Sequence, residues 1–202
     1  MTHFVSILIK GGIVMIPLLA CSLVSLALTI ERIIFWTKLN SKKILPEIFT
    51  LAENGEFEQA LKLGKTSQQP IARVLAAGLA HRNPSPAKAM EAAAQAEIPV
   101  LKRRLGILDT IVTLAPLLGL LGTVVGMIGS FDVMSEMGMG QPHAVTGGVA
   151  EALIATATGL LIAILTLVSY NYFTTRAERE MDQMEHFSSS LELVLHQHAG
   201  KH

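Results

Sequence analysis

Hydrophobic and polar positions along this chain of 202 residues divide it into three long apolar runs separated by polar sequence. The first, Gly11 to Ile30, carries no charge, contains Pro17 and is bounded by Lys10 and by Glu31-Arg32. It predicts a membrane-crossing helix that runs on to Trp36, an interfacial anchor. The second, Leu105 to Phe131, has Asp109 near its start and Pro116 within it, where a kink is expected. The third spans Gly147 to Tyr172. From Ala152 to Thr175 it holds 24 uncharged residues, against the roughly 20 that a helix needs to cross a hydrocarbon core. Tyr170 and Tyr172 suit an aromatic belt.

Between the first two runs lies polar sequence with helical patterning. Pro46, Pro70, Pro84 and Pro86 suit helix starts, while Asn54-Gly55 and Asn83 mark breaks. Helices are predicted over Ile44–Glu53, Glu56–Thr66, Ile71–His81 and Ala87–Arg104, the last running into the second span with only Pro99 as a bend. After the third run, Ala177, Met181, Met184, Phe187, Leu191 and Val194 recur at helical spacing, so that span continues beyond the membrane. The fold class is therefore an all-α membrane protein, with three transmembrane helices, two extended into the cytoplasm, and a helical cytoplasmic loop bundle. Its divisions are a periplasmic N-terminus and first span (1–36), a cytoplasmic loop (37–104), a second span (105–131), a short periplasmic link (132–146), a third span (147–175) and a cytoplasmic C-terminal helix (176–202).

Charge gives the orientation. Of 16 lysines and arginines, one precedes the first span, none lies between Phe131 and Thr175, and twelve fall from Arg32 to Arg104. Positive charge collects on the cytoplasmic side, so the N-terminus is periplasmic and the loop and C-terminus are cytoplasmic. Formal charge is zero, so no nucleic-acid partner is indicated. One cysteine, Cys21, permits neither a disulfide framework nor a cysteine metal site within the chain. No cofactor or metal is expected, and an intramembrane enzyme would need a serine–histidine pair or two aspartates within spans.

The candidate chemistry lies on two stripes. Ala115, Gly119, Gly122, Thr123, Gly126 and Ser130 form a narrow stripe on the second span; Ala152, Ala155, Thr156, Gly159, Ala163 and Thr166 form another on the third. Small residues let membrane helices approach closely. Plain packing explains that spacing, and the functional reading has Thr123 as an unpaired hydroxyl facing a partner or a water-filled path. Glu151 stands at the mouth of the third run. Such an acid marks an ion pathway when it lies in the membrane, or complements its own helix N-terminus when it lies at the interface. Glu151 and Thr156 are separated by about 140° on an ideal helix, so they serve two surfaces, a lumen and a subunit contact. Asp109 and Asp132 flank the second span as interfacial charges.

Two stretches together, APLLGLLGTVVGMIGSF (Ala115–Phe131) and GGVAEALIATATGLLIAILTLVSYN (Gly147–Asn171), resemble the ExbB/TolQ family of proton-channel subunits, distantly akin to the flagellar stator subunit MotA. Gly11–Arg32 resembles the first span of ExbB-type members. The family commonly has Trp where Val125 stands and Pro where Leu165 stands. The resemblance implies Thr123 and Thr156 as pore hydroxyls and Glu151 as the membrane acid. Gly119, Gly122, Gly126, Ala152, Gly159 and Ala163 are expected to pack helices and line the pore. It further implies a bacterial inner-membrane homo-oligomer, usually a pentamer, enclosing an ExbD/TolR-like single-span partner whose aspartate takes the protons. The work would pass to a TonB-like protein for outer-membrane uptake. A TolQ-like envelope motor, a MotA-like stator and a structural membrane scaffold without ion flux are the alternatives.

Overall fold

A computed structural model describes residues 11–39, 44–137 and 142–199. All seven regular elements among them are helices: α1 (Met15–Leu39), α2 (Ile44–Glu53), α3 (Phe57–Thr66), α4 (Pro70–Ala80), α5 (Pro86–Leu101), α6 (Leu105–Met137) and α7 (Pro142–Ala199). Three of them, α1, α6 and α7, contain stretches long and apolar enough to cross a bilayer. Their outward faces carry bare side chains such as Leu23 (68% exposed), Leu117 (62%) and Val168 (67%). So much uncovered aliphatic surface suits lipid or a neighbouring chain rather than water. The protein is an all-α membrane protein.

The chain forms two compact units. The first combines the described part of Met1–Glu31 with Arg104–Tyr172, and the second combines Arg32–Arg103 with Phe173–His202. In the first unit Val14, Met15 and Leu18 of α1 and its leading turn join Ile111 and Ala115 of α6 and Ile162 and Ala163 of α7 in one apolar cluster. In the second, Leu45, Ile48, Ala60, Ile71, Leu75, Leu79, Met90, Phe173, Met184 and Leu191 are buried. There Phe49 of α2 meets Phe187 of α7, with ring centres 5.7 Å apart. Arg73 of α4 holds Glu97 of α5 through two hydrogen bonds of 2.8 and 2.6 Å. Arg32, 1% exposed, donates to the Leu101 carbonyl at 3.5 Å and lies over the Phe35 ring.

The loop helices begin where prolines pre-set the backbone, α4 at Pro70 and α5 at Pro86. One expected continuity is absent. The helix predicted over Ala87–Arg104 ends at Leu101, and α6 starts afresh at Leu105. The break is a turn over Lys102-Arg103-Arg104 rather than a bend at Pro99, which stays inside α5. Arg104 takes a left-handed conformation (φ 65°), which costs a side-chain-bearing residue roughly 1–2 kcal/mol. Its guanidinium reaches Glu31 of α1 at 3.3 Å, within the first unit. Pro116 does not interrupt α6.

Candidate functional site

The two small-residue stripes meet each other. A Cβ added at Gly119 would come within 3.0 Å of the Thr156 backbone, one at Gly122 within 2.5 Å of the Ala155 side chain, and one at Gly126 within 2.9 Å of the Gly148 carbonyl. From the opposite side, a Cβ at Gly159 would lie 2.5 Å from the Ala115 carbonyl. Gly119, Gly122, Gly126, Ala152, Gly159 and Ala163 are all buried along this α6–α7 seam of one protomer. Their lack of side-chain bulk brings two backbones together, and it is this packing that the structure gives them.

Two hydrogen bonds tie the seam to itself and to α1. The Thr156 hydroxyl donates to the Gly119 carbonyl across the seam at 2.9 Å. Thr166 donates to its own Ile162 carbonyl at 2.7 Å, which engages its single proton. Ser25 of α1, 2.7 Å away, is therefore the donor to Thr166. Ser25 carried no signal beyond being one of three hydroxyl residues, with Ser22 and Thr29, in the first apolar run.

Thr123 is not the unpaired hydroxyl expected: it donates to the Leu120 carbonyl of its own turn at 2.6 Å, as a threonine inside a helix can. On ideal helices Thr123 and Thr156 each stand about 60–80° from the centre of the seam. Because α6 and α7 run antiparallel, both fall on the same edge. The opposite edge is covered by α1 and its leading turn: Val14 lies beside Gly122, Gly11 beside Ile154, and Gly12 beside Glu151. The threonine edge is open, with Leu120 58%, Leu160 47% and Leu167 41% exposed.

Glu151 stands nine residues inside α7, which begins at Pro142. It is therefore about 14 Å from the helix start, too far to cap its own helix. Its carboxylate abuts Gly12 instead. Within the protomer Glu151 lies toward the turn that leads into α1 and Thr156 toward α6. Asp109 and Asp132 are exposed. His143 lies outside the residues whose side chains are described. Among the described residues, no three His, Cys, Asp or Glu side chains gather as a metal site would need.

Residues 66–186 match the MotA/TolQ/ExbB proton channel family. The chain belongs to this family. It is 38% identical over 191 residues to the putative biopolymer transport protein ExbB-like 3 of Synechocystis sp., covering 91% of both chains. It is 36% identical over 195 residues to ExbB-like 1 of the same organism, covering 92% of this chain and 76% of that one. The Tol-Pal system protein TolQ of Pseudomonas aeruginosa is 36% identical over 110 residues, 54% of this chain and 48% of TolQ. Membership in the MotA/TolQ/ExbB family joins the chain's three apolar helices to a proton-channel subunit.

Proposed function

We propose that the chain is an ExbB-like subunit of a bacterial inner-membrane proton channel. With an ExbD-like single-span partner it converts proton-motive force into work on a TonB-like protein. The observation that carries this reading is the shared edge: Thr123 and Thr156, on different helices, border one open side of a seam whose other side α1 closes. Several copies arranged as a ring, a pentamer in this reading, turn that edge inward and surround the partner helix. The N-terminus is periplasmic and the C-terminus cytoplasmic, because twelve of the sixteen lysines and arginines fall from Arg32 to Arg104.

The division of labour follows from what the edge lacks. Beside the small-residue stripes α6 and α7 bring hydroxyls and one acid, Glu151, but no mid-membrane series of acids able to relay a proton unaided, so the partner supplies the carboxylate that is charged and discharged. Each elementary charge that crosses is worth about 2.3 kcal/mol per 100 mV, and alternate charging and neutralising of the partner turns it relative to the ring. The seam residues fix the helix spacing, and the lumen wall is formed by the edge residues, Thr123 and Thr156 among them.

A TolQ-like role in envelope integrity is the second reading, favoured by the match to Pseudomonas aeruginosa TolQ. The two are separated by identifying the single-span and energy-transducing proteins that co-purify. The test common to both is Thr123→Ala combined with Thr156→Ala. Energy-dependent function is lost while the ring still assembles; retained function rejects the pore role.

A further inference from the structure

The carboxylate of Glu151 has a seat, and the seat is a glycine. At Gly12 an added Cβ would overlap Oε1 of Glu151, stand 2.7 Å from its carboxyl carbon and 3.2 Å from its Cγ. Almost the whole side chain is therefore laid against the Gly12 backbone. Gly12 also has φ 72°, in the left-handed region where a residue with Cβ is strained. This turn leads into α1: the Met15 amide donates to the Gly12 carbonyl at 3.1 Å, and the Ile16 amide to the Ile13 carbonyl at 3.2 Å. The adjacent Gly11 packs on Met15 and on Ile154 of α7. Thus the head of the first span and the acid-bearing turn of the third are fitted together by the absence of two side chains.

We propose that Gly12 is a positioning residue for Glu151. The Gly11-Gly12 turn docks the carboxylate against the head of α1, on the edge of the seam away from Thr123 and Thr156. The acid is then held by the first span rather than lying loose beside the threonine edge. The consequence for activity rests on the proton-channel reading given above, whereas the docking itself does not.

The experiment separates the two. The full chain in its own membranes is treated with dicyclohexylcarbodiimide, which reacts with accessible membrane carboxyls, and labelling at Glu151 is measured alongside energised function. Gly12→Ala evicts the carboxylate and raises labelling about tenfold, the factor that a displaced side chain in a packed contact corresponds to. Gly12→Asn, whose backbone tolerates the turn better, does the same, while Gly129→Ala, which has nothing within 4 Å of its added Cβ, does not. Unchanged labelling in both Gly12 variants overturns the seat, whatever happens to function. Raised labelling with intact function leaves the seat standing and removes Glu151 from the proton path. If neither Gly12 variant accumulates, adding Glu151→Ala to Gly12→Ala empties the space and restores accumulation; failure to restore it overturns the proposal.

Discussion

The α6–α7 seam of the first unit and the interior of the second are packed by opposite means. Between α6 and α7 the contact is made of glycine, alanine, serine and threonine, and backbone lies nearly on backbone. The second unit fills its interior with Ile48, Leu75, Leu79, Met90, Phe173 and Leu191 and edges it with the Arg73–Glu97 pair. The difference follows from solvent. In water, burying a large aliphatic side chain contributes about 1.5–3 kcal/mol, so bulk is favoured inside. In lipid, moving leucine from tail to interface gains little, and association rests on close fit and on hydrogen bonds such as Thr156 to Gly119. Along the α6–α7 seam the contact residues are accordingly the smallest ones, and the first unit's buried bulk is gathered beside the seam in Val14, Met15, Leu18, Ile111 and Ile162.

That contrast can be broken from either side. The largest effect is expected from Gly159→Leu, because even a Cβ there would lie 2.5 Å from the Ala115 carbonyl. The backbone cannot yield as a side chain can, so α6 and α7 separate and the proposed ring and its proposed energised uptake are both lost, as detergent-solubilised particle mass and an uptake assay would report. In the second unit the change works in reverse. Leu75→Ala, at a fully buried position, costs about 2–5 kcal/mol by opening a cavity, read as a lowered unfolding midpoint. Ser25→Ala is smaller: removal of one interhelical hydrogen bond within the membrane costs about 0.6–2 kcal/mol, seen as a modest loss of thermal stability in detergent. Gly106→Ala, with nothing within 4 Å of the new Cβ, leaves all these measurements unchanged.

Much of this architecture was legible in the residues. Uncharged runs located α1, α6 and α7, and prolines located the starts of α4 and α5, because both signals act locally. The stripes on α6 and α7 were equally visible as sites of close approach. What they approach was not, because the same small residues serve a seam inside one protomer and a contact between two. The turn at Lys102–Arg104 was hidden for a different reason. An alanine-rich helix running into an apolar one shows no break in period, and a left-handed arginine has no composition signature. Gly12 was legible only as part of a Gly-Gly pair at the head of a span; its partner, Glu151, lies 139 positions further along the chain.

The central claim is that the threonine edge of the α6–α7 seam opens onto water while its outer faces do not. Thiol accessibility tests this most directly, and the chain's single cysteine makes it clean. In a Cys21→Ser background, Thr123→Cys and Thr156→Cys are compared with Leu117→Cys and Val168→Cys in intact membranes, using a small water-soluble thiosulfonate. The account predicts rapid modification at both threonine positions and slow modification at Leu117 and Val168. Equal protection of all four, or faster reaction at the two outward positions, would contradict it.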